Sequence, residues 1–141
     1  MKKIISALLL VSVLVLGGCS AGDKKEETKS QEITLNITVK DAVNNKELFK
    51  GDVTVNGKVK TLADFLEKAK DLEVEMEDGQ FGKVILGVKG VRTDDFDKGP
   101  WWLYESSNNE ACVANGSCNA ADDLDIKDGD KFVFTYTHAF G

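Results

Sequence analysis

The sequence is poor in the parts from which enzymes and metal centres are usually assembled. Of its 141 residues, one is histidine, one is proline and three are cysteine. A single histidine, His138, supplies neither a zinc site with a second imidazole nor a Ser–His–Asp triad, and Ser106, Ser107 and Ser117 have no base beside them. The glycines at 79, 82, 87 and 90 lack the Lys-Ser/Thr ending of a phosphate-binding loop. Positive charge is scarce as well. Eighteen Lys and Arg stand against 24 Asp and Glu, a net charge of −6, whereas nucleic acid rewards clustered Lys and Arg. These absences argue against nucleic acid as a partner and point to a binding protein, not an enzyme.

Long apolar runs are missing too, save one. In "MKKIISALLLVSVLVLGGCS", Ile4 to Leu16 follows Lys2 and Lys3. A bilayer takes about 20 apolar residues to cross, so this run is too short. A basic start and a short apolar stretch read as a secretory signal peptide. Its end, Leu16-Gly17-Gly18-Cys19, resembles the lipobox of bacterial lipoproteins, in which the cysteine thiol takes a diacylglycerol and becomes the first mature residue. The alternative is an ordinary cleaved signal that contains a cysteine. Two acyl chains on Cys19 would anchor firmly where one binds only reversibly. They would place the protein on the extracellular face of the bacterial cytoplasmic membrane.

Export bears on the odd cysteine count. With Cys19 lipidated, Cys112 and Cys118 remain as a pair in an oxidising compartment and are expected to form a disulfide. Closing so short a loop stabilises by about 2 kcal/mol in the chain-entropy model. Two free thiols are the alternative. Loss of residues 1–18 removes two lysines and no acid, which moves the net charge from −6 to −8 and disfavours electrostatic attachment to anionic lipid. Residues 20–31, "SAGDKKEETKSQ", hold no large apolar side chain and cannot bury enough surface to offset their ordering entropy. The expected organisation is a signal peptide (1–18), a lipidated flexible tether (19–31) and one domain (32–141).

That domain opens with "EITLNITVKD", where Ile33, Leu35, Ile37 and Val39 alternate with polar residues as in a half-buried strand. Asn44-Asn45 predicts a turn, and a second strand runs from about Leu48 to Val55. Thr61 and Asp64 have the spacing of a capping box, and Leu62, Phe65, Leu66, Ala69 and Leu72 fall on one helical face. This predicts a single amphipathic helix of about ten residues. "LEVEMED" is a short alternating strand ended by Asp78-Gly79, and Gly87 and Gly90 predict a bulge or bend in "KVILGVKGV". Residues 92–99 are loop. "WWLYES" and "KFVFTYT" are the closing strands, the latter launched by Asp128-Gly129-Asp130. One helix against one mixed sheet is an α+β, two-layer arrangement whose element order matches a β-grasp, the ubiquitin-like fold. A helix-poor β-sandwich is the competitor.

Asp122, Asp123, Asp125, Asp128 and Asp130 invite a calcium reading, but Lys127 stands where a ligand is needed and no glutamate follows. A solvated acidic loop is the better reading. The binding candidates lie instead in "GPWWLYESSNNEACVANGSC". If Leu103 faces the helix, Trp101 is core, and Trp102 and Tyr104 lie on the open side of the sheet. With Asn108, Asn109 and Asn115 in the following loop, this strand would suit a flat ligand with a polar rim. The plainer alternative is that both tryptophans complete the core.

Together, "FGKVILGVKGV", "GPWWLYESSNN" and "IKDGDKFVFTYT" resemble the C-terminal domain of the transcobalamin and intrinsic factor family, over about residues 32–138. The resemblance implies a β-grasp-like domain that covers one face of a corrinoid. It maps the tryptophan strand onto Trp101, Trp102 and Tyr104, and the "GD" turn onto Gly129 and Asp130. In the vertebrate carriers a large helical domain holds most of the cobalamin, and this chain offers none. A partner chain would then complete the site, or the ligand would not be a corrinoid. The function expected is a surface-anchored lipoprotein that binds a corrinoid or similar flat cofactor and hands it to a membrane transporter. The alternative is a protein-interaction module that docks on another surface protein or polymer.

Overall fold

Alternation decides the first strand. In the computed structural model, which describes residues 31–138, β1 (Glu32–Asp41) buries Ile33, Leu35, Ile37 and Val39 on one face. The signal peptide, Cys19 and residues 20–30 of the tether lie outside the described residues. A turn with Asn45 at φ 58° returns the chain into antiparallel β2 (Lys46–Asn56), with a register irregularity between Val39 and Lys40. Asn tolerates the left-handed region better than most residues, which is why it sits there.

The helix begins where its capping box predicts. The Thr61 hydroxyl accepts from the Asp64 backbone N–H at 3.2 Å, and the Asp64 carboxylate accepts from the Thr61 N–H at 3.1 Å. Such a cap is worth about 1 kcal/mol. Hydrogen bonds from the Thr61 and Lys60 backbone hold the Asp64 carboxyl below its ordinary range. The helix, α1 (Leu62–Lys68), is shorter than expected. The apolar period continues through a separate 3₁₀ turn, Lys70–Leu72, which ends at Glu73 in the left-handed region. Leu62, Phe65, Leu66, Ala69 and Leu72 are all buried, so the pattern had joined two elements that share one face.

Three short strands follow: β3 (Glu75–Gly79), β4 (Gly82–Val88) and β5 (Val91–Arg92), antiparallel and in that order. The expected bend in the apolar run is a tight turn with positive φ at both Lys89 and Gly90. The chain then forms β6 (Trp101–Glu105), a second short helix α2 (Glu110–Asn115), a 3₁₀ turn (Ala121–Asp123) and β7 (Lys131–Thr137). The four-stranded sheet has the order β2-β1-β7-β6, with β1 and β7 parallel and the other pairs antiparallel.

The fold is thus mixed α+β with two sheets and a small helical part, and it corrects the expectation of one sheet and one helix. The helix α2 lies inside the segment read as irregular loop. Asn109 caps it by accepting from the Cys112 N–H at 3.1 Å, and Gly116 ends it at φ 77°. The fully buried Leu35, Ile37, Leu62, Phe65, Leu72, Leu124, Phe132 and Phe134 form one cluster joining the sheet face to α1. Burying each stabilises by about 1.5–3 kcal/mol.

Candidate functional site

The strand β6 is placed by its register with β7. Trp102 pairs with Tyr136 and Tyr104 with Phe134, so these side chains share the inner face that Phe132, Phe134 and Tyr136 line. Trp102 is only 6% exposed, and its ring lies 5.2 Å from that of Tyr136. The expected faces are therefore reversed: Trp102 and Tyr104 point inward, while Trp101 and Leu103 share the outer face with Thr135 and Thr137. The reason is that Leu103 does not face the helix. A one-residue shift in register exchanges the two faces of a strand completely.

Trp102 and Tyr136 also join the two sheets. The Trp102 Nε1 donates to the Val91 carbonyl at 2.9 Å, and the Tyr136 hydroxyl donates to the Arg92 carbonyl at 2.8 Å. Between these carbonyls and β6, the buried Thr93 hydroxyl donates to the Pro100 carbonyl at 2.8 Å. The Gly99–Pro100 peptide is cis.

The other tryptophan stays partly open. Trp101 lies flat against Gly99, where an added Cβ would sit 2.8 Å from its ring, and Gly99 has φ 73°. Only glycine fits there, on both counts. The Trp101 Nε1 donates to the Phe96 carbonyl at 2.7 Å, and Phe96 is 55% exposed. Phe96 was not among the expected site residues. A lone aromatic within "TDDFDKG" was its signal, hidden by the acids around it.

At the far end of β6, the loop is fastened by polar contacts. Asn109 is 1% exposed and donates to the Asp125 carbonyl at 2.9 Å and to the Asp130 carboxylate at 2.8 Å. Asp130 also accepts from the Lys127 N–H at 3.0 Å. Asn108 bridges to the same turn: its Oδ1 accepts from the Lys131 N–H at 2.7 Å, and its Nδ2 donates to the Gly129 carbonyl at 3.2 Å. The Tyr104 hydroxyl donates to the Asn119 carbonyl at 2.6 Å. Burial first, and the nearby Asp122 carboxylate second, push the Tyr104 phenol up to about 12. Asn115 is exposed on the last turn of α2. Cys112 and Cys118 form the expected disulfide.

The acidic stretch is not simply a solvated loop. Asp130 is buried, Asp128 accepts from the Thr34 N–H at 2.7 Å, and Asp122 accepts from the Lys83 N–H at 2.9 Å. Asp128 and Asp122 tie this stretch to β1 and β4, and Asp130 ties it to Asn109. Among the described residues, no three His, Cys, Asp or Glu side chains gather as a metal site would require. His138 is exposed. Of the sequence-derived candidates, the structure thus brings Tyr104, Asn108 and Asn109 to one end of β6, buries Trp102 in the core, and leaves Trp101 at the opposite end.

Two grooves open elsewhere. One, of about 750 Å³, lies between β2 and α1, and the other, of about 340 Å³, lies between α1 and β3. Neither is lined by a tryptophan or by the disulfide loop.

No family model matches this chain, and no curated protein matches it. Solved structures do. A protein from Ruminococcus gnavus, described as metal-binding, superposes with a TM-score of 0.56 at 24% identity, over 77% of this chain and 99% of that one. Haptocorrin in complex with cobinamide superposes with a TM-score of 0.55 at 18% identity, over 78% of this chain. The chain spans about a quarter of haptocorrin's length, 26%. At these identities the likeness is one of fold.

Proposed function

We propose that this is a surface-anchored lipoprotein whose domain binds a flat small molecule, a corrinoid first, and passes it to a membrane transporter or a second binding chain. The observation that carries the reading is the fold shared with haptocorrin, which was crystallised with a corrinoid. The domain is a β-grasp in this reading. The β1–β2 hairpin, the parallel β1–β7 pair and α1 placed between them in sequence support that assignment. The disulfide supports export, because such bonds persist in oxidising compartments. Cys19 carries the lipid, and no chemical step is assigned to the protein.

The binding surface we assign is the outer corner of β6. Trp101 and Phe96 provide aromatic faces there, and Leu103, Thr135 and Thr137 continue the same side of the sheet. Asn108 and Asn109 belong to the opposite end of the strand, where their hydrogen bonds order the loop, and Asn115 is exposed on the helix that follows. A shallow surface of this kind covers one side of a ligand, which fits a second chain supplying the other side.

Titration of residues 20–141 with cobinamide, cobalamin and haem tests the reading. Binding should quench tryptophan fluorescence, and Trp101→Ala should weaken it at least tenfold, as expected when a stacked aromatic anchor is removed. Absence of both quenching and calorimetric heat at tens of micromolar would rule it out. Retention of the lipid label by a Cys19→Ser chain would refute the anchor separately.

A further inference from the structure

The four-stranded sheet ends at β2, whose outer edge pairs with no other strand among the described residues. Beside that edge lies the groove of about 750 Å³. Thr54, Val55 and Asn56 of β2 form one wall, and Lys58, Lys68 and Lys70 stand around it. Among the described residues, the ion pairs engage Lys83, Lys89, Arg92 and Lys127, none of these three. Two acids, Asp64 and Glu67, also line the groove. Asp64 is committed to the helix cap, where it accepts from the backbone of Lys60 and Thr61. Three lysines against two acids leave the groove one positive charge in excess, in a chain whose net charge is −6.

We propose that the β2–α1 groove receives an acidic, extended peptide segment of a partner protein, which adds as a fifth strand to the β2 edge. Two features select this occupant. A free strand edge satisfies a partner's backbone N–H and C=O groups, which a peptide has and a phosphate polymer lacks. The excess positive charge favours carboxylates on that peptide over basic chains. Alternate side chains of the added strand enter the groove between β2 and α1. The site lies on the sheet edge opposite β6 and does not depend on the ligand reading.

The test uses residues 20–141 and a fluorescein-labelled octapeptide of alternating valine and glutamate. Two controls accompany it: the same peptide with glutamine for glutamate, and one N-methylated at alternate amides with its charge unchanged. Saturable binding should appear, with NMR amide shifts concentrated at 53–58 and 68–70. Lys58→Gln, Lys68→Gln and Lys70→Gln combined should weaken it at least tenfold, and N-methylation should abolish it. Circular dichroism of the triple variant confirms that these exposed changes leave the fold intact. The proposal is overturned if no binding occurs at 1 mM peptide, if the N-methylated peptide binds equally well, or if the triple variant binds unchanged. It is also overturned if the same amides shift with protein concentration alone, which would make the edge a contact between copies of this chain.

Discussion

Trp101 and Trp102 are adjacent in sequence and opposite in circumstance. Trp102 is sealed between two sheets, its ring on Tyr136 and its Nε1 on the Val91 carbonyl. Trp101 rests on Gly99 at the outer face, partly exposed, and its Nε1 donates to the Phe96 carbonyl of a loop. Nothing in the two side chains distinguishes them. Their fates are set by β7, whose alternation Phe132-Val133-Phe134-Thr135-Tyr136 has one strongly apolar face. Whichever residues of β6 fall opposite those aromatics become core. The difference teaches that a short strand with apolar residues on both faces takes its orientation from its neighbour.

The largest expected effect tests that contrast directly. Trp102→Ala should destabilise by about 3–5 kcal/mol, the usual cost of truncating a buried aromatic. It also leaves the Val91 carbonyl without its indole donor. Trp101→Ala should cost less than about 1.5 kcal/mol, because its site can open to water. Urea melts followed by far-ultraviolet circular dichroism measure both. Equal losses would mean that the outer face is covered in solution.

Much of the fold was legible because its signals were local. The alternation of β1, the Thr61–Asp64 box and the Asp-Gly turn before β7 each act within a few residues. The orientation of β6 was not legible, since it depends on pairing with a strand about 30 residues away in the chain. Nor was the role of Asn109, which belongs to a contact with Asp130, 21 residues later. Asparagine in an amide-rich run reads as a ligand donor until the partner that buries it is known. The helix α2 escaped for a different reason. At six residues it is too short for periodicity to reveal, and only its Asn cap and terminal glycine announce it.

A second comparison sets the polar knot of the loop against its covalent staple. Asn109→Ala removes a helix cap, a buried hydrogen bond to a carboxylate and a partly buried one to a carbonyl. The expected cost is about 2–3 kcal/mol. Replacing both Cys112 and Cys118 with serine frees a loop already pinned by Asn109 and by the Tyr104–Asn119 bond, and should cost at most about 2 kcal/mol. Thermal melts of the two variants against the parent decide the order. A double cysteine variant that melts far below Asn109→Ala would make the disulfide the principal restraint.

The smallest effect is confined to alkaline solution and reads out the inward orientation of β6. Tyr104 is held neutral because burial, and then the Asp122 charge, raise its phenol from 10.0 to about 12. A raised folded value means that the unfolded chain loses this proton first. The contribution to stability is therefore complete below pH 10, unchanged at neutral pH, and lost as the pH climbs towards 12. Absorbance at the phenolate band should accordingly show delayed ionisation in the native protein, and Tyr104→Phe should remove that delayed component. The substitution should also flatten the decline in melting temperature above pH 10, after a neutral-pH cost of about 1 kcal/mol for the lost bond to the Asn119 carbonyl. Ionisation of this residue near its ordinary value would place Tyr104 in water, and the face of β6 would then be the reverse of the one described.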